Sequence, residues 1–143
     1  MNKQPVRIVL AKLGLDDHQR PLQVLSYAFR DAGMEVIYLG PYQIPAGVVR
    51  TAQVEGADAI GLSFHTVSYL GWIEETIGLL REERLAEKVK LFVGGTIPPD
   101  DRAMLDQMGV AAAFFPGDSL SDITERIISI VAATRQRFEA ASP

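Results

Sequence analysis

Residues 11–21 read AKLGLDDHQRP and gather Lys12, Asp16, Asp17, His18 and Arg20 into one short stretch. A neutral imidazole nitrogen is a good ligand for a late first-row transition metal. Its other ring nitrogen then needs an acceptor, and a carboxylate in that position fixes the tautomer and raises the ligand's basicity. Asp16 lies two residues before His18, and in an extended loop residues i and i+2 point the same way. Asp16 can therefore orient His18, with Lys12 in turn holding Asp16. The same residues also fit a solvated polar loop with a surface histidine. They fit a general base too, although no nucleophile lies nearby in sequence.

Whatever these side chains do, regular elements must position them. Short apolar runs at 7–11, 34–38, 59–63, 90–93 and 112–115 alternate with helix-like segments. Runs such as RIVLA, AIGLS and KLFVG have the character of strands buried on both faces, as in a parallel sheet flanked by helices. Val24, Leu25, Ala28 and Phe29 carry helical spacing that ends at Gly33, a C-cap position. Val48, Val49 and Ala52 follow Pro45 and precede Gly56. Ile73, Ile77 and Leu80 mark a third helix, and Ala103, Leu105 and Met108 a fourth that stops at Gly109. The strongest stripe is Leu120, Ile123, Ile127, Ile130 and Val131. Asp100 and Asp101, after Pro98-Pro99, are candidate caps for the fourth helix. Trp72 is read as helix packing, the alternative being contact with a partner. Residues 81–84 (REER) form a solvated, charge-paired face.

Five βα units predict a doubly wound α/β sheet in the order 2-1-3-4-5, in which ligands bind beyond the carboxyl ends of the strands, between the first and third. The connections after Ala11, Ser63 and Val93 are therefore the ones to inspect. The first spans about nine residues, long for its type. The chain of 143 residues is expected to be one domain, with a core over about 6–131 and the ends, MNKQP and RFEAASP, as exposed extensions.

Composition removes several functions. A net charge of −4 argues against a phosphate-tracking surface for nucleic acid. No apolar run reaches membrane-spanning length, and the first ten residues have too short an apolar stretch for a signal peptide. With no cysteine, thiolate metal sites, disulfides and cysteine nucleophiles are excluded together. The expected location is cytoplasmic. A signalling receiver of this topology would need an aspartate at the end of the third strand and a lysine after the fifth; Ser63 and Phe115-Pro116 occupy those places. A flavodoxin would need a Ser/Thr-rich phosphate loop after the first strand, which AKLGLDDHQ is not.

The stretch AKLGLDDH resembles the start of the cobalamin-binding domain of adenosylcobalamin-dependent acyl-CoA mutases, the methylmalonyl-CoA mutase class. Its motif, Asp-x-His-x-x-Gly, sits within Ala-Lys-x-Gly-Leu-Asp-Gly-His-Asp-Arg-Gly. Ala11, Lys12, Gly14, Leu15, Asp16, His18 and Arg20 match, whereas Asp17, Gln19 and Pro21 replace Gly, Asp and Gly. The similarity continues through DAGMEVIYLGPYQIPAGVV, GGTIPPDD at 94–101 and MGVAAAFFPGD at 108–118. The resemblance implies a flavodoxin-like domain that binds base-off cobalamin, with His18 as lower cobalt ligand and Asp16 behind it. Lys12 and Gly14 would belong to the same site. The family's Ser-x-Leu after the third strand is here Ser63-Phe64-His65, which keeps the serine that lines the nucleotide tail. His65 is then either a cofactor contact or a loop histidine bonded to its surroundings. Gly94 and Gly95 keep the family's glycine pair, against whose bare backbone the displaced dimethylbenzimidazole can lie.

Pro21 is the main departure. Either the helix simply starts there and the pocket still takes cobalamin, or the loop has lost its ligand geometry. The chain is too short to carry a substrate barrel as well. The resemblance thus implies a small subunit, inactive alone, that docks on a separate TIM-barrel acyl-CoA mutase subunit, where adenosylcobalamin supports carbon-skeleton isomerisation by radicals. The alternatives are a non-catalytic cobalamin carrier or sensor, or a diverged relative with an altered ligand.

Overall fold

Strand alternation divides the interior into two layers, because successive side chains leave a strand on opposite faces. In β1 (Arg7–Leu13), Val9, Ala11 and Leu13 join one layer, and Ile8 and Leu10 the other. β3 (Ala59–Phe64) and β4 (Lys90–Gly95) alternate in the same way: Ile60, Leu62, Leu91 and Val93 on the first side, Ala59 and Phe92 on the second. The edge strands are β2 (Glu35–Gln43) and the short β5 (Ala112–Phe114). All neighbours pair in parallel, in the order β2-β1-β3-β4-β5. These features come from a computed structural model, which describes residues 4–66 and 68–141.

The first layer is covered by α2 (Pro45–Glu55), α3 (Leu70–Glu82) and α4 (Arg102–Met108), through Val48, Val49 and Ala52, then Ile73, Ile77 and Leu80, then Leu105. The second is covered by α1 (Arg20–Asp31) and α5 (Leu120–Ala141), through Leu22 and Phe29, and Ile123, Ile127 and Val131. This is the flavodoxin-like, doubly wound architecture expected from the pattern. Gly56, at φ 62°, ends α2 in the left-handed conformation that glycine adopts without a Cβ penalty.

Several local expectations need correction. β1 continues to Leu13, so the connection to α1 is residues 14–19 rather than a nine-residue loop. β1 gains this length because β2 reaches up to Gln43, whose carbonyl accepts from the Gly14 N–H at 2.9 Å. Register irregularities in the β1–β2 ladder, near Gly40 and Tyr42, bend β2 so that it can follow. α1 begins at Arg20, one residue before Pro21, which sits in the first turn where its missing N–H costs nothing. Neither Asp100 nor Asp101 caps α4 with its side chain; the Asp101 carboxylate instead accepts from the Tyr69 hydroxyl. The tail continues α5 to Ala141, and Arg135 of that helix donates to the carbonyls of Gln4 and Pro5 and to Asp58. Residues 1–3 and 142–143 of the two expected extensions lie outside the described residues.

The end of β4 is the tightest point of the sheet. Gly95 has φ 119°, and a Cβ there would overlap the carbonyl oxygen of Phe64, its β3 neighbour. Gly95→Ala is expected to destabilise the fold by about 3 kcal/mol or more, combining backbone strain with overpacking. A lowered urea midpoint checks this; a midpoint equal to the wild type would show that the strand pair can separate freely.

Candidate functional site

At the carboxyl end of the sheet, on the side of α1 and α5, the floor loses its side chains. Continuing the alternation from Ala59 and Phe92, the positions on this face are Gly61, Ser63 and Gly94. A cavity of about 530 Å³ opens above them, walled by Leu22, Phe114, Leu120 and Ile123 and bordered by His18 and His65. The two glycines of the Gly94-Gly95 pair have different reasons to be there. Gly95 is required by the chain itself, as above. A Cβ on Gly94 would meet the Phe114 carbonyl oxygen at 3.6 Å and the Phe114 Cβ at 3.8 Å, both ordinary contacts. Its bareness serves the cavity.

A polar cluster stands at the mouth. Lys12 lies on β1, is fully buried, and offers its ammonium to three acceptors: the Ser63 carbonyl at 3.2 Å, His65 Nδ1 at 3.1 Å and Asp16 Oδ2 at 3.1 Å. The cation is thus satisfied on every N–H it has. Because Lys12 only donates, Nδ1 of His65 is the acceptor and that ring carries its proton on Nε2. Burial first, then the neighbouring Lys12 and His18, hold the His65 imidazole below the ordinary histidine value, with Asp16 opposing them in part. This favours the neutral ring that the hydrogen bond requires. Burial alone would raise the Asp16 carboxyl; the hydrogen bond from the His18 backbone N–H, then Lys12, then the His65 backbone N–H outweigh it and bring it below the ordinary carboxylate value.

Asp16 does not do what the sequence spacing suggested. Its Oδ1 accepts from the backbone N–H of His18 at 3.0 Å and its Oδ2 from the backbone N–H of His65 at 3.2 Å, besides Lys12. The carboxylate pins the loop's main chain instead of the His18 imidazole. That ring is exposed and lies against the ring of His65, with centroids 4.3 Å apart. Lys12 holds Asp16 as anticipated.

The structure therefore brings Lys12, Asp16, His18, Ser63, His65, Gly94 and Gly95 to one end of one face. Gly14 is not among the residues lining the cavity. It turns the chain out of β1 at φ 76°, with Trp72 of α3 so close that a Cβ would stand 3.0 Å from the indole. Trp72 is half-buried and packs on the first layer, as helix packing predicts. The sequence reading missed Gly61, although a glycine inside a strand signals a close approach. A Cβ on Gly61 would lie 2.7 Å from Leu10 Cδ2. It also missed the wall formed by Phe114, Leu120 and Ile123, which read only as core.

Chemically, the site is a mostly apolar cavity with an exposed imidazole at its mouth and a loop held by hydrogen bonds beneath that imidazole. Among the described residues, no group of three or more His, Asp or Glu gathers to hold a bare metal ion. No described helix is long and apolar enough to cross a membrane. Lys12→Met should destabilise the protein by about 1–3 kcal/mol, because it removes the counter-charge from Asp16, which keeps only its two backbone N–H donors, and takes the Lys12 donor from the Ser63 carbonyl and His65 Nδ1. Urea unfolding would show this as a lower midpoint at unchanged slope, and a variant as stable as the wild type would mean that the cluster contributes nothing to folding.

The sequence profile of the B12 binding domain family matches residues 6–123. The 2-hydroxyisobutanoyl-CoA mutase small subunit of Aquincola tertiaricarbonis is 37% identical over 137 residues, covering 96% of this chain and 100% of that protein. The pivalyl-CoA mutase small subunit of Xanthobacter autotrophicus is 35% identical, covering 89% of this chain and 84% of that protein. Among solved structures, a cobalamin-binding protein from Desulfitobacterium hafniense superposes with a TM-score of 0.74 at 23% identity, over 90% of this chain and 60% of its own. At that identity the structure speaks for the fold, while the profile and the relatives speak for descent. The chain belongs to the B12-binding domain family, alongside the small subunits of acyl-CoA mutases.

Proposed function

We propose that this chain is the cobalamin-carrying small subunit of an adenosylcobalamin-dependent acyl-CoA mutase, with His18 as the lower ligand to cobalt. The observation that carries this reading is the slot itself: a cavity of about 530 Å³ with the bare backbone of Gly94 on its floor and His18 at its mouth. The residues present fit the group. The slot would hold the apolar base of the nucleotide tail, Ser63 would offer that tail a polar contact, and the exposed imidazole of His18 would hold the cobalt. When bound, adenosylcobalamin supplies the weak cobalt–carbon bond from which radical carbon-skeleton rearrangement starts.

The chain's own residues do the rest. Lys12 and Asp16 hold the loop's main chain, so that His18 is presented from a fixed support, and Phe114, Leu120 and Ile123 give the slot apolar walls. The two relatives are both named small subunits, which supports a larger catalytic partner; a TIM barrel is the partner fold we propose. The acyl-CoA would bind on that subunit, so the small chain alone would be inactive. We place the protein in the cytoplasm.

Adding cobalamin to the purified protein and recording the visible spectrum tests the reading. The wild type should give the spectrum of base-off, histidine-coordinated cobalamin. His18→Ala should lose that signature with its circular dichroism unchanged, and equal histidine-type spectra from both proteins would sink the axial role. Pro21→Gly examines the departure from the family motif. Pro21 already lies in the first turn of α1 without needing an N–H there, so the substitution should leave the fold intact and change affinity by less than about tenfold, or ~1.4 kcal/mol. A gain of about a hundredfold would mean instead that the proline obstructs cobalamin.

A further inference from the structure

We propose that His65 is a positioning residue for the cobalt-ligand loop: reaching across from β3, it fastens residues 14–19 in the form that presents His18. The inference rests on the cobalamin reading above and assigns this side chain a role toward that site. One residue makes three separate attachments to a segment far away in sequence. Its backbone N–H donates to Asp16 Oδ2 at 3.2 Å, its Nδ1 accepts from Lys12 at 3.1 Å, and its ring supports that of His18 at 4.3 Å. Among the described residues, no other one is linked to Lys12, Asp16 and His18 together by hydrogen bond, ion pair or ring contact.

The side chain matters beyond its main chain because of Lys12. That ammonium is fully buried, and each of its N–H groups has an acceptor, one of them supplied by the imidazole. A side chain without an acceptor at the Nδ1 position leaves a buried cationic N–H unpaired. The ammonium is then drawn away from Asp16 or toward solvent, and Asp16 is the group that pins the His18 main chain. Removing the ring also removes the surface on which the exposed His18 ring rests. The ligand would then pay for its own ordering when it meets cobalt.

Two substitutions of the full-length chain separate the alternatives. His65→Leu keeps apolar bulk and removes the acceptor, whereas His65→Asn places an amide oxygen where Nδ1 was. In the cofactor-free protein, NMR should show solvent exchange of the His18 amide accelerated about tenfold or more in His65→Leu, with the amides of Ile8 and Ile60 unchanged, and near wild type in His65→Asn. On titration with cobalamin, His65→Leu should bind in the histidine-coordinated form about 10–100-fold more weakly, the range for residues that orient a metal ligand, and His65→Asn should recover most of the loss. If His65→Leu leaves both the His18 amide and the affinity unchanged, the inference is wrong. It is also overturned if affinity falls while the amide is unmoved and His65→Asn fails to rescue, since His65 would then be a direct contact to the cofactor. The exchange measurement needs no cobalamin. A wild type that binds none would therefore remove the proposed function while the loop measurement still decides the role of His65 in holding the loop.

Discussion

The arrangement at the top of the sheet depends on one buried positive charge. An ammonium group withdrawn from water is tolerated only when its hydrogens all find acceptors. Lys12 finds them on three different pieces of chain: the Ser63 carbonyl on β3, the His65 ring just beyond it, and Asp16 in the β1–α1 connection. Satisfying the charge therefore locates the connection relative to the third strand. Because the cluster must be complete or costly, it makes the loop's position a near all-or-none property.

The slot arises from a complementary economy of side chains. On the α1/α5 side, Ile8, Leu10 and Phe92 supply the apolar part of the floor, with Leu10 lying over Gly61, while Gly94 leaves its own stretch of backbone bare beside the small Ser63. Leu22 and Phe29 of α1 and Ile123 and Ile127 of α5 form the opposite side of the cavity. On the side of α2, α3 and α4, Leu62, Val93 and Phe64 instead continue the core packing to the strand ends. The cavity thus lies on the face of the sheet on which the β1–α1 connection closes.

Much of this was legible from residue patterns. The five apolar runs, their order and the helical stripes followed from periodicity, because strands buried on both faces and amphipathic helices carry strong local signals. The residues of the mouth were legible as chemistry: Lys12, Asp16, His18, Ser63 and His65 were all singled out. What escaped was the direction of their hydrogen bonds. Whether Asp16 meets an imidazole or a backbone N–H depends on the path of a six-residue turn fixed by Gln43 and Trp72, which lie far away in sequence. The same is true of Gly14, whose motif position suggested the cofactor and whose actual neighbour is an indole. The slot's walls were invisible for a different reason: Phe114, Leu120 and Ile123 are apolar at helical or strand spacing, and nothing local tells an apolar residue facing a void from one facing its neighbours.

The contact of Trp72 with Gly14 has a practical consequence. Trp72 is the only tryptophan in the chain, so all indole emission comes from one place, the point where β1 turns toward His18. A corrin ring absorbs light in the region where indole emits, and the slot opens on the same end of the sheet. Loading would therefore dim the protein's own fluorescence by energy transfer. Loosening of the turn would shift its colour instead, as the half-buried indole meets water. The natural chain thus carries an unlabelled optical probe in which cofactor occupancy and local order produce different signatures.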